Sequence, residues 1–383
     1  MNAILIMFHL ELDAGYAMDS LLDAFLKMAQ ALVNKNEKIH ISYTNIQNKE
    51  KQKILSEYTN IIEYDPASSD ASKHVFIEKY VREYQIDIVF GFDQPVHQPA
   101  YKPLRRGGVR KIISYQGAPM SDPNKGFKLL LKKLQVKMAK HSPEHYIFES
   151  QAMAETAYQG RGVPKDRVSV VPLGVDAEKY MPSLNATLFA HKTFSIPKDR
   201  RIIYYSGHME KRKGVTVLIN AAIHLKDVLG RNDFHFLILG NRPGEEEPYL
   251  EMLQGERAEA HVTFGGYRDD IAQILPCSYI GTIASTGWDS FTVTSLEIAS
   301  CGLPLLVSKL QGLAETIEEG KTGFSFKPGD YSALAKYIDM FLDDEFLRDS
   351  FGEQARARIL AGFSKQRQID SLVGVVQRVC SSS

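Results

Sequence analysis

Short, nearly unbroken apolar runs alternate along this chain with longer stretches whose apolar residues recur at three- and four-residue spacing. The runs at 3–8, 38–43, 86–90, 111–115, 146–148 and 168–171 have the length and continuity of strands buried on both faces. Between the first two, Leu21, Leu22, Phe25, Met28, Ala29 and Leu32 fall on one face of a helix over about 18–34. Further helices are expected over 72–84 and 124–141. A second series of runs lies at 202–205, 234–239, 262–264, 280–283 and 303–307, again with helical stretches between them. Beyond residue 324 the pattern turns helical through Leu334, Ile338, Phe341, Phe346, Phe351 and Ile359, and a last helix starts near 365. Strands alternating with helices, with few hairpin signals, predict an α/β protein built on parallel sheets covered on both faces.

A length of 383 residues exceeds one ordinary domain and suits two. The pattern divides accordingly into two Rossmann-like domains, 1–180 and 181–364, with the weakly periodic stretch 177–197 as linker. Hydrophobic residues make up 44% of the chain, enough for two cores, and 46 basic residues balance 46 acidic ones. That balance argues against a nucleic-acid partner, so any anion must be met by a local patch. Cys277, Cys301 and Cys380 cannot all pair and show no metal-ligand spacing, which fits a reducing cytoplasm. Residues 1–10 run into Glu11 and Asp13 without a basic leader, and read as a first core strand, not a signal peptide. No apolar run reaches the roughly 18 residues that span a bilayer, so membrane contact is at most peripheral.

Candidate chemistry concentrates in residues 285–308. A loop of small and polar residues, 287–292, leads into a helix over 294–300, which Gly302 stops before an apolar strand. A loop entering a helix presents free N–H groups and the positive end of the dipole, which suits a phosphate. Asp289 and Glu297 bracket that entrance. A second stretch, 205–222, leaves a strand, turns at Gly207, and carries Lys211, Arg212 and Lys213 to a helix N-terminus. Ligands of open parallel sheets bind beyond the carboxyl ends of the strands, and the cleft between two such domains is the expected site. His97 and Gly15, each just past a strand of the first domain, could face that cleft. The helix over 124–141 carries six lysines with Phe127, Leu130, Leu131, Leu134 and Met138 between them. It could bury its leucines in the core, or touch anionic lipid headgroups while its apolar side chains enter the interface. There is no Gly-x-Gly-x-x-Gly after the first strand and no phosphate-loop signature, which argues against a dehydrogenase or an ATPase.

Asp289, seven residues, Glu297, then Ala299, Cys301, Gly302 and Pro304 resemble the donor-sugar motif of the retaining glycosyltransferases of family 4. Lys213-Gly214, the stretch from Gln311 to Asp330, and Pro172 to Asp176 match further family patterns. Two departures stand out: Asp289 replaces the first Glu, and His208 takes the place of an Arg. The resemblance implies a GT-B fold, two Rossmann-like domains whose parallel sheets face a central cleft, with the helix at about 365–383 returning to the first domain. It implies transfer of a hexose from a UDP- or GDP-sugar to a glycan or lipid-linked acceptor, in cell-surface polysaccharide or glycolipid synthesis, without a metal or other cofactor. Lys213, with Arg212, would neutralise the donor diphosphate, helped by Gly207, His208 and the backbone at Ser290, Phe291, Thr292 and Val293. Glu297 would hold the ribose hydroxyls and Asp289 the sugar. Gln116 stands where many members carry a His, and its amide can hydrogen-bond a sugar hydroxyl. The departures leave open a non-catalytic GT-B partner subunit, and a nucleotide-sugar 2-epimerase is a further alternative. The work would take place in the cytoplasm or at the inner face of the membrane.

Overall fold

The computed structural model describes residues 1–12, 15–33, 35–183 and 188–382. The chain forms two compact units. One comprises Met1–Pro172 with Gln366–Ser383, and the other Leu173–Lys365.

The first unit is built on seven parallel strands: β1 Ala3–Met7, β2 Ile39–Tyr43, β3 Asn60–Glu63, β4 Ile86–Phe92, β5 Lys111–Gln116, β6 His145–Phe148 and β7 Val168–Val170. Their order is β3-β2-β1-β4-β5-β6-β7. Leu5 of β1 is flanked by His40 on one side and Val89 on the other. The central strands are buried along their whole length, as strands covered by helices on both faces must be. The helix Tyr16–Leu32 turns Leu21, Leu22, Ala24, Phe25, Met28 and Ala29 inward. Phe25 meets Phe90 and Tyr115 edge-on, with ring centroids 4.9 and 5.0 Å away. Residue 34, the expected end of this helix, lies outside the described residues. The closing helix Lys365–Ser381 buries Ile369, Leu372, Val375, Val376 and Val379. At its end Arg378 donates to Ser169 at 2.8 Å, and Lys111 donates to the carbonyl of Ser382 at 2.7 Å.

The second unit has six parallel strands: β8 Arg201–Ser206, β9 Phe234–Leu239, β10 Val262–Phe264, β11 Ile280–Ile283, β12 Leu305–Ser308 and β13 Gly323–Phe326. They run β10-β9-β8-β11-β12-β13. One core cluster joins β8 and β9 to the helix Val215–Asp227 and, through Leu334, Ile338, Phe341 and Phe351, to the helices near the end of the unit. The division between the units falls after Pro172 rather than after residue 180, for a visible reason. Val175 pairs with Ser364, and its amide and carbonyl bond Phe363 and Lys365 at 2.9 and 3.0 Å. Gly174 passes so close that an added Cβ would lie 2.5 Å from the carbonyl oxygen of Ser364. Within the expected linker 177–197, Phe189–Thr193 is helical, and residues 184–187 lie outside the described residues.

In each sheet the strand order reverses once, between β1 and β4 in the first unit and between β8 and β11 in the second. At such a point the loops leaving the two strands diverge to opposite faces and open a crevice at the carboxyl edge.

Candidate functional site

The loops leaving β8 and β11 flank the reversal point of the second sheet, and they carry the residues singled out by the motif. The first loop turns at Gly207 and His208, forms one tight turn over Lys211–Lys213, and enters the helix Val215–Asp227 through Gly214. Gly214 has φ +76°, a conformation costly for other residues. A Cβ there would lie 1.8 Å from the carbonyl oxygen of Ala284, the residue following β11. Only glycine lets the two loops approach so closely. Their backbones are then tied together, since the amide of Thr286 donates to the carbonyl of Arg212 at 2.7 Å.

This approach places the Lys213 ammonium 3.0 and 3.1 Å from the two carboxylate oxygens of Asp289. Asp289 is almost fully buried, and its carboxylate also accepts from the Ser285 hydroxyl at 2.6 Å and the Ser290 amide at 3.1 Å. Its own amide donates to the Gln311 side chain at 3.1 Å. The shorter Asp side chain thus sits within a closed ring of partners. Thr292 then caps the helix Val293–Ser300, accepting from the Ser295 amide. The first turn of that helix, four residues after Asp289, leaves N–H groups free of intrahelical partners at the carboxyl edge of the sheet. Phe291 is buried against Phe363, with ring centroids 5.5 Å apart. Glu297 is buried on the same helix, one turn before Cys301. Burial, with the Glu297 charge beside it, pushes the Cys301 thiol up to about 12.

The neighbouring positions are arranged differently. Arg212 bonds Glu210 at 2.8 Å and the carbonyl of Trp288 at 3.2 Å, and its guanidinium stacks 4.4 Å above the Trp288 ring. His208 is exposed, and its carbonyl accepts from Tyr205 at 3.3 Å. Gly207 lies against the Tyr205 hydroxyl, where a Cβ would be 2.7 Å away.

Gln116, His97 and Gly15 belong to the first unit. Gln116 ends β5 as a buried residue, and its amide nitrogen donates to the Gln94 carbonyl at 3.0 Å and the Ser114 hydroxyl at 2.6 Å. His97 is exposed on the loop after β4. Gly15, at φ +98°, precedes the helix Tyr16–Leu32, whose first N–H groups bond its carbonyl. The loop it belongs to includes residues 13 and 14, which lie outside the described residues.

Sequence reasoning overlooked several side chains at these strand ends. Ser285 and Gln311 hold Asp289, yet the serine sits in a small-residue loop, and the glutamine, beyond the next strand, opens a stretch whose family pattern says nothing of Asp289. In the first unit, Asp93 sits directly after β4 with φ +50° and accepts from the Gly117 amide at 2.7 Å. Burial raises its pKa, opposed by that hydrogen bond and by His9 nearby. A non-glycine residue in the left-handed region at a sheet reversal was a better pointer than His97, four residues on, but φ is not visible in sequence. Among the described residues, no group of three His, Cys, Asp or Glu side chains is placed to hold a metal ion.

Two family profiles match this chain: "Glycosyl transferases group 1" over residues 188–358 and "Glycosyltransferase Family 4" over residues 25–179. Together they account for most of its length, and the chain belongs to the group 1, family 4 glycosyltransferases. Among solved structures, a glycosyltransferase from Rickettsia africae ESF-5 superposes with a TM-score of 0.83 at 19% identity, covering 100% of both chains. Anabaena Alr3699/HepE in complex with UDP gives a TM-score of 0.77 at 17% identity, over 98% of this chain and 100% of that one. These likenesses establish the GT-B fold. Among curated relatives, the Escherichia coli UDP-Gal:alpha-D-GlcNAc-diphosphoundecaprenol alpha-1,3-galactosyltransferase is 23% identical over 79% of this chain and 78% of its own. Against other curated relatives the chain spans less of their length, from 45% to 63%.

Proposed function

We propose that the chain transfers a hexose, with retention, from a UDP- or GDP-sugar to a glycan or lipid-linked acceptor in polysaccharide or glycolipid synthesis. The observation that carries this reading is the Lys213–Asp289 pair, set at the reversal point of the second sheet beside the N-terminus of Val293–Ser300. In such a transfer the bond from the anomeric carbon to the diphosphate oxygen breaks, and the acceptor hydroxyl bonds to that carbon on the same face. The acceptor proton passes to the leaving diphosphate, so the protein must mainly stabilise the charge that develops there. A cation and helix N–H groups aimed at that charge do this, which is usually the largest catalytic contribution. Lys213 and the backbone at Phe291 and Thr292 take this part. Asp289 meets the sugar, and Glu297, on the following helix, meets the ribose hydroxyls. Arg212, engaged by Glu210 and Trp288, shapes the rim of the loop. Two relatives support the reading: HepE was crystallised with UDP, and the E. coli enzyme is named for a UDP-Gal donor and a lipid-diphosphate acceptor.

The test is a thermal-shift screen of the full chain against UDP, GDP and their common sugar conjugates. A ligand that binds only the folded state raises the melting temperature with its saturation. One base is expected to give a clear shift, lost in Lys213→Ala and Glu297→Ala, and to identify the donor for acceptor assays. No shift with any of them would overturn the reading.

A further inference from the structure

The first sheet ends at β3 on an open edge. β3 pairs with β2 in parallel register, Asn60 beside His40 and Ile62 beside Ser42. The Tyr64 amide continues that ladder, donating to the Tyr43 carbonyl at 2.8 Å. In a parallel pair alternate residues send both backbone groups to the same neighbour, so Asn60, Ile62 and Tyr64 face β2, and Ile61 and Glu63 face outward. Among the described residues, no protein group meets the outward N–H groups of Ile61 and Glu63. The edge at β13 is blunted, because the Glu319 carboxylate takes the Ser325 amide at 3.0 and 3.2 Å. β3 has no such cover, and no proline, lysine or bulge.

The helix Ala71–Glu83 turns a matching row of side chains to this edge. It buries Ile77 and Val81, and on one flank Gly107 closes against Val81 and the Glu78 carbonyl. On the opposite flank Tyr80 bonds His40 Nδ1 at 2.8 Å, and its ring lies 5.9 Å from that of Phe76. At about 100° per residue, Lys73, Phe76, Tyr80 and Glu83 share that flank within an arc of about 80°. Lys73, Phe76 and Glu83 are exposed. The row is symmetric about residue 78: Lys73 and Glu83 are equidistant from it, and so are Phe76 and Tyr80. A second copy running the other way therefore sets Glu83 against Lys73 and Tyr80 against Phe76. The strand shares this centre. Tyr80 meets His40, which is level with Asn60. Ile61 lies about 3.3 Å further along the strand, which is about two residues back along a helix running against it, at residue 78.

We infer that the first unit joins a second copy of this chain through β3, the two strands antiparallel about a twofold axis at Ile61. The Ile61 residues exchange both backbone hydrogen bonds, and each Glu63 amide reaches the carbonyl of Thr59 in the other copy. The helices Ala71–Glu83 then lie antiparallel across the join, with aromatic rings between them and an ion pair at each end. Such a contact uses the same patch twice and stops at a dimer.

Sedimentation of the full chain from about 1 to 100 μM is expected to show a dimer that dissociates on dilution. Glu83→Lys sets a cation against Lys73 of the other copy and should weaken the dimer about tenfold. Lys73→Glu together with Glu83→Lys exchanges the two charges and should restore it, which no effect within one copy would do. Ile61→Pro removes only an outward N–H and should abolish the dimer. Should that variant fail to fold, Phe76→Ser replaces an exposed ring and should weaken the dimer at an unchanged melting temperature. A parent chain that stays monomeric overturns the inference. So does a dimer that Glu83→Lys and Phe76→Ser leave unchanged, or one that the exchanged pair fails to restore. No nucleotide enters these measurements, so their failure would leave the proposed transfer standing.

Discussion

Lys213 and Asp289 are 76 residues apart in the chain, yet the ammonium of one touches both carboxylate oxygens of the other, with Lys213 17% and Asp289 5% exposed. A buried pair adds little net stability over apolar replacements, but removing one member strands the other away from water. Lys213→Met should therefore cost about 3 kcal/mol of folding stability, as well as a roughly hundredfold to thousandfold loss of transfer rate. Urea unfolding and initial rates measure the two effects separately. A stable variant with full activity would remove Lys213 from the site.

The same pair makes a prediction about affinity. A diphosphate and the Asp289 carboxylate would compete for one ammonium, so the pairing lowers the fraction of lysine ready to bind. Asp289→Asn should raise affinity for the free nucleoside diphosphate, by up to about tenfold, while turnover falls. Calorimetry with UDP or GDP, set beside steady-state kinetics, would show the split. Weaker binding of the free diphosphate would mean that the carboxylate supports the binding loop instead of competing with its ligand.

The alternation of apolar runs carried most of the architecture, because buried parallel strands need side chains that are apolar on both faces. The two strands not anticipated have other characters. Asn60–Glu63 is a four-residue edge strand that is nowhere fully buried, and Gly323–Phe326 is embedded in turn residues. Their pairing is decided by neighbouring strands, not by their own pattern. The loop from Asp289 to Thr292 and its following helix were legible because a chemical spacing is local. What Asp289 touches was not, since Ser285, Gln311 and Lys213 reach it through backbone geometry set by Gly214. The outward stripe of Gly126–Met138 was likewise open in sequence. Periodicity places Phe127, Leu130, Leu131, Leu134 and Met138 on one face and cannot say which way that face turns. In the fold all five are exposed and only Val136 is buried, which excludes the core-facing reading of the leucines.

Three histidines give the fold a pH dependence. Burial lowers the pKa of His40 to about 4, and that of His145 to about 4 with help from Arg378 and Arg167. Burial, then Arg200, lowers His235 to about 3. The unfolded chain takes up these protons near the ordinary value of 6.5, while the folded chain does not. The stability they contribute is thus complete above pH 6.5 and is lost as pH falls toward 4. The slope there is at most about 4 kcal/mol per pH unit for three protons. Urea unfolding at pH 7, 6 and 5 measures it. His145→Gln, which keeps a partner for Ser169, should remove at most about 1.4 kcal/mol per pH unit of the slope. Unchanged stability from pH 7 to 5 would contradict the burial of all three.

Two glycines separate backbone strain from loop closure. Gly214 and Gly230 have similar positive φ, +76° and +71°, but the surroundings differ. A Cβ on Gly230 meets nothing within 4 Å, whereas on Gly214 it would lie 1.8 Å from the carbonyl oxygen of Ala284. Gly230→Ala should pay only for its conformation, about 1 kcal/mol. Gly214→Ala must also push apart the two loops that hold Lys213 to Asp289, and should cost about 3 kcal/mol or more. The decisive reading is nucleotide affinity in whichever variant remains folded. Gly230→Ala should bind as the parent chain does, and Gly214→Ala should lose the thermal shift even at temperatures where it is fully folded. Retained nucleotide binding in Gly214→Ala would show that the close approach of the two loops is not what assembles the site.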